Sequence, residues 1–238
     1  MPGFLSILFA LLFGMQASSP AEKEKPLLLH KVRQPLVASE KPPVLILLHG
    51  VGSNEDDLFS LAPSLPGNFL VISARGPYTL GAGSYAWFHV DFSSGKPVIQ
   101  ADEAEKSRKL LIDFVQQVKH LYKVDESRIY LGGFSQGGIM SYSVGLTRPE
   151  LLKGIVVLSS RLLPEVRPLV KPSERLKKLH LFVSHGLEDP VLSIEYAREA
   201  QTYLNTLGLK PEYHEYPGGH TLTDAMFRDL LAWLKKEG

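Results

Sequence analysis

Ser135 stands in Gly133-Phe134-Ser135-Gln136-Gly137-Gly138, after the β-rich run RIYLG and before the helical stretch IMSYSVGL. A serine at such a strand-to-helix turn is held in a strained backbone conformation with its hydroxyl projecting from the sheet edge. The neighbouring glycines are required because larger side chains collide in so tight a turn. G-x-S-x-G also occurs by chance in glycine-containing loops, so it is the strand–turn–helix setting that marks Ser135 as a nucleophile.

A serine hydroxyl at neutral pH needs a base within hydrogen-bond reach. Of eight histidines, His220 lies in Pro217-Gly218-Gly219-His220-Thr221, a glycine-rich loop between a strand and the last helix. The order Ser…Asp…His places the base last, and His220 is the choice. His214 falls inside a strand and reads as structural. His185 ends a strand before Gly186, where lining the site and a satisfied structural role are both open. His30, His89, His120 and His180 have no informative setting. The third member must accept a hydrogen bond from the histidine and stabilise the imidazolium. Asp189, in Ser184-His185-Gly186-Leu187-Glu188-Asp189-Pro190, is short and braced by Pro190; its neighbour Glu188 reads as a solvated charge. Asp224 and Asp229 fall on the last helix and read as exposed. His49-Gly50-Val51-Gly52 ends the strand VLILL, and His49 there reads as a loop brace. The backbone amides of Val51 and Gln136 are the expected oxyanion donors.

These loops need a scaffold of alternating strands and helices. Strands are expected at residues 44–48, 69–73, 128–131, 154–158, 179–184 and 211–216, with an edge strand within 27–37. Continuous apolar runs such as VLILL and IVVLS suit a mostly parallel sheet with helices on both faces. Residues 107–122 carry an apolar helical stripe, with Asp102, Glu103 and Glu105 placed where a helix dipole favours negative charge. Ser193 can cap a helix that runs to Leu207 and stops at Gly208. The last helix, residues 221–236, has Leu222, Met226, Leu230 and Trp233 on one face. Residues 161–178, with three prolines, and 76–101 read as irregular excursions that shape the site.

The chain has 238 residues, 44% apolar and 21% charged, with a formal charge of +1 and no cysteine. One domain accounts for this length. The balanced charge gives no electrostatic basis for nucleic acid or an anionic membrane as partner. The lack of cysteine excludes disulfides, thiolate metal sites and a cysteine nucleophile. Residues 4–15, FLSILFALLFGM, are uncharged but too short to cross a bilayer, which takes about 20 apolar residues. With the small and polar residues that follow, they read as a signal peptide over 1–19, then a linker over 20–26 and a catalytic domain over 27–238. An exported, periplasmic or secreted protein is expected, with no stable membrane span once the leader is removed. A cytoplasmic protein with an N-terminal core helix, or an uncleaved anchor, is the alternative.

HGVGSNEDDL, AWF, GGFSQGG, GLEDP and PGGH, in this order and spacing, resemble the phospholipase/carboxylesterase family that includes the acyl-protein thioesterases. The resemblance runs from about residue 44 to 234. It implies a compact, single-domain α/β-hydrolase fold without a large cap domain or any cofactor. By it Ser135, Asp189 and His220 carry over as a triad, Val51 and Gln136 as oxyanion donors, and Trp87 and Phe88 as an aromatic pair near the acyl site. Simple core packing accounts for that pair equally well. Eukaryotic thioesterases of the family are cytosolic, so the leader favours a bacterial carboxylesterase acting on small or medium acyl esters. A small-molecule acyl ester is the expected partner; the sequence does not give the oligomeric state.

Gly81-Ala82-Gly83-Ser84-Tyr85-Ala86 fits a dinucleotide fingerprint in form only, since it neither ends a clear strand nor opens a helix. No HExxH, P-loop or calcium-loop spacing occurs, and His214 and His220 lack further ligands, so no metal is expected. Two rivals to a carboxylesterase remain. One acts on thioesters or lysophospholipids; the other is a silent hydrolase-fold protein that binds a ligand.

Overall fold

The computed structural model describes residues 25–91, 93 and 97–237. The expected signal peptide and most of the linker lie outside the described residues. The main sheet has seven strands, in the order β1, β3, β2, β8, β9, β10, β11. In chain order these are β1 (His30–Arg33), β2 (Val44–Leu48), β3 (Leu70–Ala74), β8 (Ile129–Phe134), β9 (Gly154–Leu158), β10 (His180–Gly186) and β11 (Glu212–Tyr216). Edge strand β1 runs antiparallel to β3, and the remaining pairs are parallel.

Parallel strands joined by crossovers are covered on both faces, and β2 shows the consequence. Val44, Ile46 and Leu48 belong to one apolar cluster, while Leu45 and Leu47 belong to the other. Residues from α2 (Ala101–Leu121), α3 (Gln136–Thr147) and α4 (Ile194–Thr206) complete the first cluster. Those from α1 (Asp56–Phe59) and α5 (Asp224–Glu237) complete the second. The amphipathic stripe of the α2 region therefore starts earlier than residue 107. Ser107 lies inside the helix, where its hydroxyl donates to the Trp87 carbonyl. Ser193 caps α4, its hydroxyl accepting from the Glu195 amide.

The excursion at 76–101 is less irregular than its sequence suggests. It forms two small hairpins, β4 (Tyr78–Gly81) with β5 (Ser84–Ala86), and β6 (Val90–Asp91) with β7 (Val98–Ile99). The glycine pattern at 81–86 serves as the first hairpin's turn, with Gly83 at φ +71°. Residues 161–178 carry only short 3-10 turns.

Strand order reverses around β2: β3 lies on one side and β8 on the other. In open α/β sheets the crevice at such a switch point, beyond the carboxyl ends of the strands, is where ligands bind. The loops after β2 and β8 carry Val51 and Ser135.

Candidate active site

Ser135 is the residue between β8 and α3, at φ +53°, ψ −115°. A non-glycine residue at positive φ is strained and persists only where its surroundings enforce it. Here the Ser135 amide donates to the Leu158 carbonyl, and its own carbonyl accepts from the Ile139 amide and the Ser160 hydroxyl. The turn closes against β2 so tightly that a Cβ at Gly137 would be driven into the Leu48 carbonyl, with the His49 oxygen 2.9 Å away.

The structure brings the three candidate side chains together. Ser135 Oγ lies 2.9 Å from His220 Nε2, and His220 Nδ1 lies 2.7 Å from Asp189 Oδ2. Because a carboxylate only accepts, Nδ1 carries the proton and Nε2 presents its lone pair to the serine hydroxyl. The His220 ring packs on Phe134, centroids 4.8 Å apart. Asp189 is fixed at its other oxygen, where Oδ1 accepts the Val191 and Leu192 amides, each at 2.8 Å. Glu188 points to solvent, and its amide ties the loop to the Gly218 carbonyl.

The Gln136 amide opens α3, a position without an intrahelical acceptor. The Val51 amide has no acceptor among the described residues. The loop carrying Val51 is pinned on both sides. Gly52 N donates to Tyr85 O and Tyr85 N to Ser53 O, each at 2.8 Å. Beneath it the His49 ring is buried; Nδ1 donates to the Gly50 carbonyl and Nε2 accepts from the Gly76 amide at 2.9 Å. Burial holds His49 below the ordinary imidazole pKa, so it stays neutral in this bracing position.

The family profile described as Phospholipase/Carboxylesterase matches residues 34–237. The chain belongs to this family. It is accordingly a serine hydrolase acting on carboxylic esters, with a single-domain α/β-hydrolase fold and no large cap. Acyl-protein thioesterase 1 of Mycosarcoma maydis is 32% identical over 215 residues, covering 81% of this chain and 90% of that protein. Putative hydrolase MhqD of Bacillus subtilis is 28% identical over 193 residues, covering 81% and 92%. Among solved structures, the Bacillus cereus carboxylesterase superposes with a TM-score of 0.76 at 26% identity, covering 89% and 95%.

Two openings adjoin the Ser135–His220 pair, one lined by Ser135 and the other by His220. The first, about 50 Å³, contains Ser135, Val51 and Gln136, with apolar walls that include Phe88, Ile99, Ile139 and Leu192. The second, about 280 Å³, is lined by His220, Phe134, Asp57, Ser60 and Leu222. Trp87 and Phe88 divide accordingly. Phe88 lines the first opening, whereas Trp87 does not. Trp87 packs on His49, centroids 5.6 Å apart, and its indole donates to the His49 carbonyl at 3.0 Å.

Three arrangements around the site have no sequence signature. The Gln136 side chain reaches back to the bend between β5 and β6: Oε1 accepts the Trp87 amide and Nε2 donates to the Phe88 carbonyl, both at 2.7 Å. His185, fully buried, places Nε2 2.7 Å from the Leu192 carbonyl and 3.3 Å from Asp189 Oδ2. Burial lowers its pKa. Glu55, also buried, accepts from Arg75 Nε at 2.6 Å and from Arg75 Nη2, while Arg75 Nη1 donates to the Tyr85 hydroxyl. The guanidinium holds the Glu55 carboxyl below the usual range, and the pair anchors the loop above it. Asp229, expected exposed, is half-buried and accepts from the Tyr216 hydroxyl at 2.5 Å.

Among the described residues no cluster of histidine, aspartate and glutamate is arranged to hold a metal, and no helix is long and apolar enough to cross a membrane.

Proposed function

We propose that the protein hydrolyses carboxylic esters of short to medium acyl chains through an acyl-enzyme on Ser135. The continuous Ser135–His220–Asp189 contact chain carries this reading. His220 Nε2 removes the hydroxyl proton as Oγ attacks the ester carbonyl, and Asp189 stabilises the imidazolium without taking the proton. The amides of Val51 and Gln136 receive the negative charge that develops on the carbonyl oxygen.

His220 then protonates the departing alcohol, so the leaving group must face the opening that His220 lines. The acyl group occupies the other, beside the oxyanion donors. The apolar walls and small volume of that opening support a short chain, and the larger opening leaves room for varied alcohols. No cofactor takes part in these steps. Water activated by the same imidazole completes the turnover.

The experiment is an acyl-chain series of oxygen and thiol esters, run with wild type and Ser135→Ala. The wild type should turn over p-nitrophenyl acetate or butyrate and take a fluorophosphonate label. The variant should lose up to about a million-fold in kcat, as serine triads do. A wild type with neither activity nor label would make this a silent, ligand-binding member of the family. A clear preference for thioesters would favour the thioesterase reading, which the name of the Mycosarcoma maydis relative supports. The leader leads us to place the mature protein outside the cytoplasm.

A further inference from the structure

We propose that Arg161 selects substrates whose acyl chain ends in a carboxylate, that is, half-esters of short dicarboxylic acids. The inference rests on the acyl-side assignment of the opening beside Ser135. Arg161 follows the turn after β9, which is locked to the nucleophile: the Ser160 hydroxyl donates to the Ser135 carbonyl at 2.8 Å, and the Ser159 amide donates to the Ser184 carbonyl. A Cβ on Gly138 would lie 2.7 Å from Ser160 Cβ, so the two segments are in close contact.

Arg161 is the one charged residue lining that opening among the described residues, in otherwise mostly apolar walls. Its guanidinium lies over Tyr196, 5.3 Å from the ring centroid. Arg75, Arg108, Arg128, Arg148 and Arg198 each pair with a carboxylate. Arg161 pairs with none among the described residues, and its buried Nε has no hydrogen-bond partner. Arg167 also stacks on a tyrosine, Tyr203, but takes no part in the cleft.

A guanidinium cannot shed its charge, and holding it beside apolar walls without a counterion is unfavourable. Its planar fork matches a carboxylate, and the cation–π contact with Tyr196 restrains the side chain. An anion on the acyl half therefore supplies the missing partner. An anion on the alcohol half, such as a lysophospholipid phosphate, would leave through the opening at His220 and not reach Arg161.

The test measures initial rates by pH-stat for monoethyl succinate, glutarate and adipate against ethyl butyrate and ethyl hexanoate. The full chain is compared with Arg161→Met and Arg161→Lys. Wild type should favour at least one half-ester by about tenfold or more in kcat/KM, as expected for a charge-assisted bond. Arg161→Met should lose about 10–100-fold on that half-ester, mainly through KM, and stay within a few-fold on the neutral esters. Arg161→Lys should recover part of the loss. The proposal is overturned if wild type cleaves neutral esters but treats half-esters no better. It is equally overturned if Arg161→Met lowers both classes alike, which would mark a structural role. Turnover of neither class, with no serine label, would overturn the hydrolase reading itself and this inference with it.

Discussion

Replacing Gln136 with alanine separates the backbone role of this residue from that of its side chain. The variant keeps the amide at the start of α3 but removes both bonds to residues 87 and 88, which are fully buried. Each stranded backbone group costs about 1–3 kcal/mol, so the loss should be about 2–6 kcal/mol before any cavity term. Against a typical total of about 5–15 kcal/mol that is a large fraction. With a urea slope of about 1–3 kcal/mol/M, the unfolding midpoint should fall by about 1 M or more. The two tryptophans, Trp87 and Trp233, make fluorescence a direct probe of the transition. Gln136→Glu sharpens the test. Ionised, the new side chain sets an oxygen against the Phe88 carbonyl; protonated, it can both accept from residue 87 and donate to residue 88. A buried carboxyl has a raised folded-state pKa, so its favourable contribution is present below the unfolded value of about 4.3 and is lost as pH rises. The defect of Gln136→Glu should therefore shrink on acidification. A Gln136→Ala midpoint within about 0.2 M of wild type would refute the reasoning.

His49 and His185 both have imidazole pKa values depressed by burial. The unfolded chain then binds more protons below about pH 6.5, so stability should be full above that value and fall as pH drops toward 5. Urea midpoints at pH 7.5 and 5.5 should show that slope in wild type and a smaller one in His185→Gln; equal slopes would argue against it. Gly137→Ala should cost about 3 kcal/mol or more or prevent folding, because its methyl group meets backbone of β2 and the following loop. Gly81→Ala, with open space around it, serves as the control and should melt like wild type. N-terminal sequencing of exported protein should find a start near residue 18–20; an intact Met1 on cytoplasmic protein would refute export.

What could be read in the sequence follows from how far each signal extends along the chain. β2 and β9 begin and end where their apolar runs do, because burial on both faces removes polar residues from the whole strand. β4 to β7 escaped because two to four residues are too few to show a period, and their pairing depends on a neighbouring hairpin arm. The site divides the same way. Ser135, Asp189 and His220 each sit in a glycine- or proline-marked loop, and those three loops converge. The Gln136 side-chain bridge, the second histidine at Asp189 and the Glu55–Arg75–Tyr85 network join positions many residues apart through ordinary residue types. Nothing local distinguishes them, and Arg161 was visible only as the start of an irregular stretch.

In the proposed mechanism the separation of the opening at Ser135 from the opening at His220 has a kinetic consequence. The first product can depart while the other half of the substrate stays seated, so the vacated passage becomes the entrance for whatever arrives next. Water has no privilege there beyond its concentration. A small alcohol that fits beside Phe134 competes with it, and the ratio of transfer to hydrolysis then measures how well that passage is shaped.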